Sequence, residues 1–203
     1  MSVDEETAAS FEEPDARHSR TALWSAIAVG VVVVAFLGVL ATRDTAKDRA
    51  ARSPLLGLAA PDFSGRSVLD SKPFALADQR GKFVVLNFFA SWCVPCAIEH
   101  PELAAFAKAH TATADAELVS VVFQDPLEDV RAFFAKRGGN WPVLDSDRAA
   151  VDYGVTGVPE TFLIDPNGFV VAKWSRAIKQ SEIETVMKQA ESAEASTVAG
   201  SGS

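Results

Sequence analysis

Two cysteines occur in the 203 residues, with two residues between them in Trp92-Cys93-Val94-Pro95-Cys96. A pair meant to stabilise a fold closes a long loop, and this spacing closes almost none. It suits a disulfide that opens and reforms. If a helix begins here, the first sulfur sits among free backbone N–H groups at the positive end of the helix dipole, which favours a thiolate. Cys93 is then the nucleophile, and Cys96, one turn later, points back and resolves a mixed disulfide. Pro95 fits a first helical turn, where its missing N–H costs nothing, and Trp92 is expected to face solvent beside the nucleophile. The competing use is half of a zinc site. No second cysteine pair exists, however, and His100 and His110 are the only histidines after residue 18, so three ligands are the most on offer.

The elements around this pair fit the redox use. Phe83-Val84-Val85-Leu86-Asn87-Phe88-Phe89 is a nearly continuous apolar run, as in a central strand covered on both faces, and a helix is expected from Val94 to about Ala109. Leu118 to Phe123 reads as a second buried strand, followed by an amphipathic helix presenting Val130, Phe133 and Phe134 on one face. Thr161–Ile164 and Phe169–Lys173 flank Asp165-Pro166-Asn167-Gly168, whose Asn-Gly predicts a tight hairpin with positive φ angles. Ser181-x-x-Glu184 resembles a capping box opening a last helix through Ile183, Val186 and Met187. A parallel βαβ unit, a hairpin and a closing helix make an α/β fold with helices on both faces of the sheet.

The whole chain adds an expected membrane segment. Residues 1–21 are polar and acidic and read as a disordered tail. Residues 22–41 carry no charge and are long enough, as a helix, to span a bilayer. A cleaved signal peptide is the alternative, with Val39-Leu40-Ala41 as its cleavage site, but its apolar stretch is usually shorter. Arg43, Lys47, Arg49 and Arg52 follow the segment and only Arg17 and Arg20 precede it, so a count of basic residues puts the C-terminal side in the cytoplasm. Long domains cross largely regardless of such charges, and a redox site belongs where substrates become oxidised, so the expected side is extracytoplasmic. Residues 42–54 read as a linker, 55–191 as the folded domain and 192–203 as a flexible tail. A net charge of -8 and a pI near 4.9 argue against nucleic-acid binding.

The residues Leu86 to Cys96, Glu99, Pro101, Gly154-Val155-Thr156-Gly157-Val158-Pro159-Glu160-Thr161 through Asp165, and the opening Ala60-Pro61-Asp62-Phe63 resemble the thioredoxin superfamily. Within it they resemble the membrane-tethered branch of the TlpA, ResA and CcmG (DsbE) proteins. The resemblance implies a thioredoxin fold, a central mixed sheet flanked by helices, behind one transmembrane helix. It implies a redox-active Cys93–Cys96 disulfide and no other cofactor. It makes Pro159 a cis-proline facing the cysteines, with Val158 and Glu160 beside it, and Glu99 an active-site acid exchanging protons with Cys96. Asn87 departs from ordinary thioredoxin, which has a buried aspartate there; an amide accepts no proton, leaving that work to Glu99 or Glu160. Pro101 should bend the helix.

The implied activity is thiol:disulfide exchange, in the direction of reducing disulfides of extracytoplasmic proteins. Apocytochrome c is a plausible client, a membrane protein of the CcdA/DsbD type the electron donor, and a monomer the expected state. Rivals are a disulfide-forming oxidase of the same fold and a Sco-like copper-binding assembly factor. Sco sites have three residues between the cysteines and a distant histidine in a loop, whereas this chain has two residues and no histidine after His110. A peroxidase would carry a Pro-x-x-x-Thr-x-x segment before a lone cysteine, which is also missing.

Overall fold

The computed structural model describes residues 23–34 and 53–200. Residues 23–34 form a helix, and among the described residues no helix is long and apolar enough to cross a membrane. The rest of the expected 22–41 span, the acidic tail, linker residues 42–52 and residues 201–203 lie outside the described residues.

The domain is built on a five-stranded mixed sheet, ordered β5-β4-β3-β6-β7. Its strands are β3 (Phe83–Phe89), β4 (Ala116–Val122), β5 (Val143–Asp145), β6 (Glu160–Ile164) and β7 (Val170–Trp174), and β1 (Ser64–Arg66) pairs with β2 (Pro73–Ala75) in a separate hairpin. β3, β4 and β5 run parallel, while β6 and β7 are antiparallel to their neighbours. The helices are α1 (Val94–His110), α2 (Leu127–Arg137), α3 (Asp147–Asp152) and α4 (Gln180–Gly200).

All seven residues of β3 are buried, and its pleat divides them between two layers. Phe83, Val85 and Phe89 point into a core with Leu103 and Phe106 of α1, Phe133 and Phe134 of α2, and Ile183 and Met187 of α4. Val84, Leu86 and Phe88 point the other way, onto Phe63, Phe74, Leu76, α3 and Tyr153. Asn87 shares the first face, and that assignment positions the site. The stretch before β3 also reaches the outer strands: Gly57 N–H donates to Val170 O on β7 (2.8 Å), and Val68 N–H to Val143 O on β5 (2.7 Å).

The expected βαβ unit, hairpin and closing helix are present, with local differences. The β6–β7 turn has one left-handed residue, Gly168 (φ +85°), rather than an Asn-Gly pair. Asp165 O accepts from Gly168 N–H (2.8 Å), and Asp165 Oδ1 accepts from Phe169 N–H (2.7 Å). Pro166 takes the first inner position, which its fixed φ favours. A Cβ at residue 168 would overlap the Arg80 guanidinium, which donates to Asn167 O (2.6 Å). Helix α4 begins one residue before Ser181, and the reach-back glutamate is Glu182, whose Oε2 accepts from Lys179 N–H (3.0 Å). Glu102 of α1 accepts from Gln180 N–H (3.1 Å), tying the two helices together. The helix runs on to Gly200 through the stretch expected to be a flexible tail. Its Glu-Ser-Ala-Glu-Ala composition holds good helix formers and neither Gly nor Pro before residue 200.

Candidate active site

Cys93 follows β3 by four residues and is the N-cap of α1, with Pro95 in the first turn. The two cysteines are joined as a disulfide. Cys93 Sγ also accepts a hydrogen bond from Cys96 N–H (3.1 Å), so the nucleophilic sulfur itself occupies the capping position. In this oxidised state both cysteines are buried, Cys93 at 4% exposed and Cys96 at 2%. Trp92, Val94 and Ile98 are exposed around them. The loop after β4 supports this turn: Asp125 Oδ2 accepts from Ser91 N–H (2.6 Å), Gln124 O accepts from the Trp92 indole (3.3 Å), and Phe89 O accepts from Phe123 N–H (2.9 Å). Gln124 takes a left-handed conformation (φ 48°) to make this approach.

Glu99 follows Cys96 by three residues, so the two share the inward face of α1, and the carboxyl is 1% exposed. Its Oε1 accepts from Asn87 Nδ2 (2.8 Å) and its Oε2 from Ile178 N–H (3.3 Å). Burial pushes its pKa up to about 7, and the two hydrogen bonds hold the rise in check. A group with that proton affinity holds or releases a proton near neutral pH, as a partner for a buried thiol must.

Asn87 sits opposite Ser120 of β4 and Thr161 of β6 in the sheet register. It donates to Thr161 Oγ1 (3.0 Å) and accepts from Ser120 Oγ (3.3 Å), whose oxygen accepts from the Trp141 indole (2.9 Å). Sequence reasoning missed Ser120, Trp141, Thr161 and Ile178. The available signal was a polar residue set in an apolar run in each of two strands, Ser120 and Thr161.

The Val158–Pro159 peptide bond is cis. Because Glu160 pairs with Phe88, Pro159 lies at the end of β3 from which the cysteine loop departs. Val158 packs against both cores. Glu160, the alternative acid, shares a sheet face with Phe88 and therefore points away from the Asn87 side. It pairs there with Lys173 (2.9 Å), which lies over the Phe162 ring. Of the two glutamates, the one on the cysteine side is Glu99. His100, the potential third zinc ligand, has its ring among Phe133, Phe134 and Trp141, and its Nε2 is 2.9 Å from Gly138 O. Among the described residues no group of three or more His, Cys, Asp or Glu could hold a metal ion.

A thioredoxin fold whose central strand leads into a Cys-x-x-Cys helix cap, with a cis-proline across the sheet, defines a thiol:disulfide oxidoreductase. The chain belongs to the AhpC/TSA family, whose model matches residues 56–173 and so takes in both cysteines, Glu99 and Pro159. It is 38% identical over 133 residues to the thiol-disulfide oxidoreductase ResA of Bacillus subtilis, covering 64% of this chain and 73% of that protein. It is 34% identical over 145 residues to the thiol:disulfide interchange protein DsbE of Xylella fastidiosa, 70% of each chain. The crystal structure of a thiol:disulfide interchange protein of Chlorobium tepidum matches 68% of this chain and 97% of its own, with a TM-score of 0.59 and 32% identity. These relatives match the ResA/CcmG branch that the motif resembles.

Proposed function

We propose that this oxidoreductase works as a reductase, held by residues 22–41 in the cell membrane as a single-pass protein with its catalytic domain outside. The observation that carries the reading is a Cys93 sulfur capping a helix that also carries, three residues after Cys96, a buried glutamate whose pKa burial raises to about 7. The Cys93 thiolate attacks a substrate disulfide, and the first substrate sulfur leaves and takes a proton. Cys96 then gives its proton to the Glu99 carboxylate and attacks Cys93 Sγ, which releases the second substrate sulfur. Two electrons have passed to the substrate, and the Cys93–Cys96 disulfide awaits two more from a membrane donor of the CcdA/DsbD type. Apocytochrome c is the proposed client, in line with the interchange proteins DsbE, HelX and CycY among the relatives.

The test is to express Cys96→Ala in the native membrane, where Cys93 should trap clients as mixed disulfides. Recovery of apocytochrome c supports the reading, and a variant that traps no disulfide-bonded exported protein, while the wild-type disulfide oxidises exported dithiols, would overturn the direction. Protease added to cells stripped of their wall should digest the domain and spare the acidic tail. A protected domain would place it in the cytoplasm, as the basic-residue count favours.

A further inference from the structure

The Glu99 carboxyl is reached by a line of side chains crossing two strands. It runs from Trp141, just before β5, through Ser120 on β4 and Asn87 on β3 to Glu99 on α1, and every member is buried. Chemistry sets its direction. An indole nitrogen donates and never accepts, so Ser120 Oγ must be the acceptor of the 2.9 Å bond from Trp141. A serine hydroxyl has one proton, and the Asn87 Oδ1 is the acceptor in reach of it, at 3.3 Å. With its oxygen so engaged, the amide turns its two N–H groups toward Glu99 Oε1 (2.8 Å) and Thr161 Oγ1 (3.0 Å). An Asn87 rotated by half a turn would present its oxygen to the carboxylate and lose the acceptor match with Ser120.

We infer that Ser120 and Trp141 are positioning residues which, by fixing the orientation of the Asn87 amide, set the proton affinity of Glu99. Neither touches the cysteines; both act through Asn87. The inference rests on the proposed acid–base role of Glu99 only for its effect on turnover, since the carboxyl titrates whether or not it serves Cys96.

No charge competes for this control. On α1, Cys96 is in the disulfide, His100 is engaged with Gly138 O, and Glu102 accepts from Gln180 N–H. From the loop before α4 Glu99 meets a backbone N–H, that of Ile178. The Glu160–Lys173 pair of β6 and β7 lies on the other face of the sheet. What remains to offset burial is the pair of N–H donors, and Asn87 supplies the shorter bond.

Loss of that donor, or its replacement by the amide oxygen, disfavours the ionised carboxyl. A hydrogen bond to a charged group is strong enough for its loss to move a titration by about one pH unit. The test follows the Glu99 carboxyl by carbon NMR of labelled glutamate in the full chain, with Glu99→Gln to assign the signal. Ser120→Ala should raise the Glu99 midpoint by about one pH unit and Trp141→Phe should raise it by less, while Ser120→Thr, which keeps the hydroxyl, should restore it. A Glu99 midpoint unmoved in folded Ser120→Ala overturns the inference. The pH profile of disulfide exchange, recorded on the same variants, separates the two readings. If the carboxyl midpoint moves and the exchange profile does not, the positioning chain stands and the acid–base role of Glu99 falls.

Discussion

Replacing Glu99 with glutamine should remove a pH dependence from the stability of the oxidised protein. Burial raises the carboxyl from its ordinary 4.5 to about 7. An acid with a higher pKa folded than unfolded holds its proton more tightly in the native state. Its contribution is therefore most favourable below the unfolded value, declines as pH rises from 4.5 to about 7, and is flat above that. At ~1.4 kcal/mol per pH unit, this interval amounts to about 3 kcal/mol. Glutamine mimics the protonated acid in size and charge, so the variant should match the wild type near pH 4.5 and exceed it by about 3 kcal/mol near pH 8. His100 titrates with the opposite sign: burial lowers its pKa, so its contribution improves with pH. That effect is common to both proteins and cancels in the difference. Urea unfolding followed by tryptophan fluorescence at several pH values measures it. A difference that stays constant from pH 4.5 to 8 would refute a buried, neutral-titrating Glu99.

Three further outcomes follow from the packing and the cap. In the reduced protein, Cys93 in Cys96→Ala should alkylate faster near pH 7 than Cys96 in Cys93→Ala, since only the former sulfur has the capping position; the reverse order would exchange their roles. Lys173→Met should cost about 3 to 5 kcal/mol by stranding the buried Glu160 charge, and a second change, Glu160→Leu, should recover most of it in a double-mutant cycle. Phe106→Ala, at a fully buried position of α1, should lower stability by about 3 to 5 kcal/mol in urea, and a loss under about 1 kcal/mol would contradict the packing around it.

The parts legible in the sequence are those with local signals. β3 announced itself by six apolar residues in a run of seven, interrupted by Asn87, and α1 by a proline and a cysteine pair at its start. β5 has three residues and no periodicity to read; it exists because Val143 and Leu144 find β4, a contact between distant residues. The same holds for the β1–β2 hairpin and α3. At the site, the cysteines and Glu99 carried their chemistry in spacing along one helix. Asn87 drew notice only as a departure from a familiar pattern. Ser120, Thr161 and Trp141 acquire meaning from strand register, which places three polar residues side by side across β4, β3 and β6. Glu99 stood out by its place on the helix after Cys96, and the pleat of β6 turns the alternative acid, Glu160, to the other face of the sheet.

The short run of chain before β3 touches both outer strands of the sheet: Leu56 and Gly57 meet Val170 on β7, and Ser67 and Val68 meet Leu144 and Val143 on β5. Outer strands are where one copy of a sheet protein recruits another, since their unspent backbone groups are a template for a further strand. Here one ribbon of backbone, with the hairpin it leads into, hems both borders at once. Proteolysis within Leu56–Ala59 would unhem β7 while leaving the cysteines, Glu99 and Asn87 in place, so its first symptom would be aggregation with the chemistry intact.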